Sequence, residues 1–245
     1  MTNKYMYFIA NWKMFGDLRS LNSLDKVIKF LKGFQNKRLT KIIYCPPSTL
    51  IHPMGKKFFK SSIEIGAQNC HQNEGYGAFT GSINSKMLKN IGAKYVIIGH
   101  SENRKNGETN KLINSKIKSA LKSRLKIIFC IGESLAEKRK KITKKILKKQ
   151  ISLGLQGIKN KKNIIIAYEP VWSIGTNIIP NSNDLFQTVN FIKNLVKKNK
   201  VLYGGSVNSK NIHKLKSIGN IDGFLIGGSS QDSKNFIDII KKTYN

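Results

Sequence analysis

Eight short runs of β-branched and aromatic residues recur along the chain at fairly even intervals, at 5–10, 41–45, 63–67, 95–98, 126–131, 164–168, 200–203 and 223–226. Each is apolar almost without interruption. A strand with one wet face alternates between apolar and polar residues. A strand covered on both faces does not, and such strands belong to parallel sheets sheathed in helices. Helical patterns fill the gaps. Leu112, Ile113, Ile117, Ala120 and Leu121 repeat at helical spacing, as do Ile142, Ile146, Leu147 and Ile151, and Leu185, Val189, Ile192 and Val196. These stripes are amphipathic helices laid on a sheet. The lysines within 138–149 lie opposite the second stripe. They read as a solvated outer face, their stems covering apolar surface, rather than as a binding motif.

Eight strand–helix units in 245 residues predict an α/β fold, the (β/α)8 or TIM barrel, which typically takes about 250 residues. An open doubly wound sheet usually carries a GxGxxG turn after its first strand. Here the first run leads instead into Asn11-Trp12-Lys13-Met14. No Pro/Gly/Ser-rich linker divides the chain, so residues 1–245 are expected to form a single catalytic barrel domain. The 40% hydrophobic content supplies a core and excludes a disordered or collagen-like chain. No apolar run approaches the roughly 18 residues of a membrane span. The run at 5–10 is too short for a signal-peptide core and has no cleavage site behind it. The expectation is a cytoplasmic protein with no membrane partner.

The charge is extreme: 44 basic residues against 13 acidic ones give +31, yet only five of the basic residues are arginines. Nucleic-acid binders favour the arginine fork. Lys, Asn and Ile are abundant throughout, as an A/T-rich coding sequence produces. No specific nucleic-acid partner is therefore expected. Cys45, Cys70 and Cys130 form no CxxC pair and read as free thiols. The four histidines show no HExxH spacing, so no metal site is expected.

Barrel chemistry sits where strands end and the following loops begin. Asn11 and Lys13 follow the first run, His100 and Glu102 the fourth, and Glu169 the sixth. Gly204-Gly205-Ser206 and Gly227-Gly228-Ser229-Ser230 follow the seventh and eighth. Glycine loops at those two positions often bind phosphate, because backbone N–H groups approach the anion and a helix start adds positive charge. Lys13 would steady developing negative charge. Glu169, between Tyr168 and Pro170, is a candidate general base, and His100 a candidate proton carrier or hydrogen-bond donor. The stretch Ser173-Ile174-Gly175-Thr176 has the mixture of rigid tip and flexible hinge that a closing lid needs.

Taken together, Asn11-Trp12-Lys13-Met14, Gly99-His100-Ser101-Glu102, Cys130-Ile131-Gly132-Glu133, Ala167-Tyr168-Glu169-Pro170-Val171-Trp172, Ile174-Gly175-Thr176, Tyr203-Gly204-Gly205-Ser206-Val207 and Gly227-Gly228 resemble the triosephosphate isomerase family over essentially the whole chain. The resemblance implies interconversion of dihydroxyacetone phosphate and D-glyceraldehyde 3-phosphate through an enediolate, in glycolysis and gluconeogenesis, with no metal or organic cofactor. It assigns Glu169 as the base, His100 as the polarising group, Lys13 and Asn11 as substrate holders, and Glu102 as their support. Gly175, Ser206, Gly227 and Gly228 join Asn11 and Lys13 in binding the triose phosphate. Gly77-Ala78-Phe79-Thr80-Gly81 looks like the family's third loop, so Phe79 and Thr80 are expected at a homodimer contact. Two other readings stand beside this one: a different phosphosugar-handling barrel enzyme, and a basic binding protein with a vestigial site. The chain also departs from the family. Ser82 stands where the family has Glu and Asn103 where it has Arg, a pair that meets across the subunit interface. In the lid, Asn177 replaces a usual Gly, and Pro180 lies in the far hinge.

Overall fold

The structure, a computed structural model, describes residues 5–245. Eight strands close into a barrel in sequence order, every neighbouring pair parallel. They are β1 (Met6–Asn11), β2 (Thr40–Cys45), β3 (Glu64–Ala67), β4 (Tyr95–Ile98), β5 (Lys126–Ile131), β6 (Ile164–Tyr168), β7 (Val201–Tyr203) and β8 (Gly223–Ile226). Among the described residues ten α-helices lie outside the strands or cap their ends. They are α1 (Leu24–Gly33), α2 (Ser48–Phe58), α3 (Ser85–Asn90), α4 (Ser101–Lys105), α5 (Asn110–Lys122), α6 (Leu135–Arg139), α7 (Thr143–Gly154), α8 (Ser182–Val196), α9 (Ile212–Ser217) and α10 (Ser233–Tyr244). The three sequence stripes fall on α5, α7 and α8. Each expected strand is found: β4, β5, β6 and β8 keep the expected bounds, and the ends of β1, β2, β3 and β7 move by one residue. The largest consequence is at β1, where Asn11 is still in register with Cys45 and so closes the strand rather than opening the loop.

The unbroken apolar runs have a direct cause. Along β1, Phe8 and Ala10 pack under the helices while Ile9 packs inside the barrel; along β5, Ile127, Phe129 and Ile131 face outward and Ile128 and Cys130 inward. The interior is filled by Ile9, Ile43, Tyr95, Ile97, Ile128, Leu202 and Leu225 among others, so it is a packed core rather than a pore. Both faces of the strands are buried along most of their length, and the charged residues Lys41, Glu64 and Lys126 are confined to the N-terminal ends. The side-chain period of two carries the inward face to the strand end and beyond, and this is how Asn11 (the last residue of β1, two after Ile9) and Glu169 (just past β6, two after Ala167) come to the inner rim. Among the described residues no helix is long and apolar enough to cross a membrane.

Candidate active site

A pocket of about 160 Å³ opens at the C-terminal rim of the barrel. Its lining includes Asn11, Lys13, His100, Glu169, Gly175, Ser206, Gly227 and Gly228. Of the expected catalytic and phosphate-binding residues Glu102 alone lies outside that lining, touching the pocket through Lys13, and the expected dimer-loop residues Phe79 and Thr80 lie elsewhere. The volume is below the roughly 300–1,000 Å³ of drug-sized sites and suits a small metabolite.

Lys13 sits in the left-handed backbone region at φ 56°, which a non-glycine residue adopts only when its surroundings hold it there. Two side chains do so. Asn11 Oδ1 accepts the Lys13 N–H at 3.1 Å, and Gln68 Nε2 donates to the Lys13 carbonyl at 2.7 Å and to the Cys45 carbonyl at 2.9 Å. The ammonium then reaches Glu102 Oε1 at 2.6 Å. Burial acts to raise the Glu102 pKa, but the hydrogen bond from Lys13 together with the electrostatic influence of His100 and Lys13 outweighs it and holds the carboxyl below its usual range.

His100 caps the start of α4, its Nδ1 accepting the Glu102 N–H at 3.3 Å. A ring nitrogen that accepts an N–H carries no proton, so the remaining proton of the neutral ring belongs on Nε2. That atom lies 3.3 Å from Glu169 Oε1. The Glu169 carboxylate is 2% exposed and also receives the Ser101 N–H at 3.4 Å. Burial pushes its pKa up, against the opposing effects of His100, the Ser101 N–H, the Cys130 thiol and Lys13. A carboxylate at a strand end, kept dry and close to a ring N–H donor, has the geometry that proton abstraction needs.

The glycine loops are needed for close approach. A Cβ on Gly204 would lie 2.9 Å from Glu169 Cγ, and one on Gly205 would lie 2.2 Å from the Tyr203 hydroxyl. Gly228–Ser230 forms a single 3-10 turn beside the pocket, where first-turn N–H groups have no partner within the helix. Ser206 donates its N–H to Ser173 Oγ at 3.3 Å, tying the β7 loop to the segment after Glu169.

Sequence reasoning missed three of the residues that hold this geometry. Gln68, which fixes Lys13, had one available signal: it follows the β3 end on the same rim. Arg104 donates to the carbonyls of Gly99 at 2.7 Å and Cys130 at 3.0 Å and to Asn110 Oδ1 at 2.8 Å. It fastens the ends of β4 and β5 beneath His100 and Glu169. Glu108 accepts from Asn69 and Lys116 under the base of the third loop, a long-range contact without a local pattern. In that loop Phe79 is partly exposed and packs on the His71 ring, and Thr80 is exposed.

The family model described as triosephosphate isomerase matches residues 6–243. A triosephosphate isomerase of Ruthia magnifica is 40% identical over 95% of this chain and 96% of its own. That of Aquifex aeolicus is 38% identical over 94% and 96%. The crystal structure of triosephosphate isomerase from Bartonella henselae superposes with a TM-score of 0.89 at 33% identity, over 98% of this chain and 99% of that one.

Proposed function

The chain belongs to the triosephosphate isomerase family and is an intramolecular aldose–ketose isomerase, and from that premise we propose how its own residues perform the reaction. Glu169 removes a proton from the carbon beside the carbonyl of dihydroxyacetone phosphate. The electron pair moves onto the carbonyl oxygen, giving an enediolate. His100 Nε2–H and the Lys13 ammonium face that oxygen and stabilise its charge. The hydroxyl proton is exchanged through His100, and Glu169 returns its proton to the neighbouring carbon to give D-glyceraldehyde 3-phosphate. Asn11 keeps Lys13 in its strained backbone, and Glu102 holds the ammonium until substrate takes its place. The N–H groups of Gly175, Gly227 and Gly228 donate to the phosphate, and Ser206 joins them by exchanging its N–H bond to Ser173 Oγ for one to the phosphate. Isomerisation of this kind requires only an acid–base pair and a stabilised oxyanion.

The observation that carries the assignment is the single pocket in which Lys13, His100 and Glu169 meet the glycine loops of β7 and β8. We place the enzyme in the cytoplasm as a homodimer, with the third loop around Phe79 and Thr80 against the partner. A coupled assay of the purified protein tests the reading. Rapid turnover of dihydroxyacetone phosphate without added metal supports it. Turnover of a longer phosphosugar alone would favour a different barrel enzyme, and no turnover at all a vestigial site.

A further inference from the structure

Lys138 belongs to the lysine-rich stretch that reads in the sequence as a solvated face. In the fold its ammonium instead lies 3.4 Å from the ring centroid of Trp172. Trp172 sits in the 3-10 turn Val171–Ser173, which connects Glu169-Pro170 to the exposed segment 175–178. The indole is also gripped at its edge, where Nε1 donates to Glu133 Oε1 at 2.9 Å. The Tyr168 hydroxyl donates to the same carboxylate at 3.2 Å, and the Val171 N–H donates to the Glu133 carbonyl at 3.0 Å.

The ground on which Lys138 stands is rigid. The Gln150 amide holds Gly132 through both its N–H and its carbonyl, at 2.9 Å each. A capping box of Ser134 and Glu137 then fixes the start of α6. Beyond Trp172, by contrast, Gly175, Thr176, Asn177 and Ile178 are exposed. The junction between the rigid rim and the exposed segment is therefore the indole itself. A hydrogen bond at Nε1 fixes one edge of the ring but leaves it free to tilt about that edge. A cation seated on the face removes the tilt.

We propose that Lys138 is a positioning residue for the isomerisation, acting through Trp172 to set the angle at which the lid leaves the barrel and so the placement of Ile174 and Gly175 over the substrate. The proposal rests on the isomerase reading above. Cation–π contacts of this kind correspond to about 2- to 30-fold in an equilibrium. Losing the contact should reduce the fraction of bound complexes in which the lid is seated. An enediolate with a phosphate on the adjacent carbon expels that phosphate when water and loose geometry admit it; the C–O bond breaks and the electron pair leaves with inorganic phosphate. A well-seated lid suppresses this side reaction. Phosphate release per isomerisation thus reports lid seating, which a merely structural role for Lys138 would leave unchanged.

The experiment compares wild type, Lys138→Met and Lys138→Arg, each labelled with 5-fluorotryptophan. The chain has two tryptophans, and Trp172→Phe assigns their fluorine signals. In Lys138→Met, kcat should fall about 3- to 30-fold, within the range above, with a smaller change in KM. Phosphate release per turnover should rise, and the Trp172 signal should shift or broaden while that of buried Trp12 stays. Lys138→Arg should restore all of these. Unchanged phosphate partition together with an unmoved Trp172 signal in Lys138→Met would overturn the proposal. So would a loss in which both tryptophan signals move and Arg rescues nothing. Should wild type show no isomerase activity, the functional reading falls separately, and an unmoved Trp172 signal then removes the clamp on its own.

Discussion

Glu169 is a carboxylate whose ionised form the folded protein disfavours, because burial outweighs the donors around it. The sign of the consequence follows from proton counting. Between the unfolded value, about 4.3, and the raised folded value, the native state binds more protons than the unfolded one, so stability falls as pH rises through that window. The cost is absent below the window and full above it. Glu169→Gln removes the charge and should therefore stabilise the folded protein at pH 7 by about 0.5–2 kcal/mol, the range of a single stabilising change, and so raise the melting temperature. The same substitution should lower kcat by at least about 10²–10⁴. Calorimetry and the coupled assay on one preparation check both, and a variant that is less stable and still active would contradict the assignment. In the wild type, the acid limb of kcat/KM should titrate above the ordinary carboxylate range. His100 gives a second expectation from geometry alone. With Nδ1 accepting the Glu102 N–H, nitrogen-15 spectra of the folded protein at pH 7 should place the ring proton on Nε2. A proton on Nδ1 would break the cap and leave no donor facing the substrate.

The ends of β5 and β6 come together more closely than any side chain permits. Glu169 donates its N–H to the Ile131 carbonyl at 2.7 Å, and a Cβ on Gly132 would lie 1.7 Å from the Glu169 carbonyl oxygen. Gly132→Ala must therefore push the backbone of Glu169, the proposed base, outward. Overpacking of this kind costs about 1–3 kcal/mol. Because the displaced atoms belong to Glu169, the loss in kcat should exceed what the melting temperature alone would lead one to expect. A variant with reduced stability and full kcat would show that the approach serves packing only. The same region shows what a sequence can and cannot disclose. Asn11, Lys13, His100 and Glu169 were legible because strands buried on both faces make their polar successors conspicuous, and barrel geometry gathers strand ends on one rim. The glycine loops were legible as loops, but their reason was not. Gly204 and Gly205 read as phosphate cradles, yet they also leave room for Glu169 and the Tyr203 hydroxyl, contacts between strands far apart in the chain. Gln68 and Arg104 were hidden because what they hold is backbone carbonyls, and a carbonyl has no sequence signature. Lys138 was misleading for a related reason: the lysine run spans two helices, and the lysine of α6 that turns onto an indole looks in the sequence like those of α7.

At the scale of the whole molecule the charge of +31 has to be reconciled with association. Apolar side chains remain exposed on two loops beside the site: Met14, which is 99% exposed, with Phe15 and Leu18 on the first, and Tyr76 with Phe79 on the third. The third loop is pinned at its base, where the His71 N–H meets the Ile83 carbonyl at 2.8 Å and Asn84 Nδ2 meets the Gly75 carbonyl at 2.9 Å. Its tip is thus presented rather than folded away. In the proposed homodimer these loops would cover one another, while each protomer brings the same net positive charge and the two repel. The ion pair that the resemblance places across this interface is missing, since its positions are Ser82 and Asn103. Attraction then rests on apolar burial and neutral hydrogen bonds, which salt does not weaken, whereas the repulsion is screened over roughly 8 Å at 0.15 M ionic strength. The dimer should be weakest in dilute buffer and should tighten as salt rises. Binding to nucleic acid should move the other way, weak and falling steeply with salt, because it depends on counterion release. Sedimentation equilibrium between about 10 mM and 0.3 M salt, a range that spans the change in screening length, follows the protomer–dimer balance directly. Dissociation on adding salt would mean that ion pairs elsewhere on the contact outweigh the repulsion. A monomer at every salt concentration would mean that the exposed apolar loops are not an interface at all.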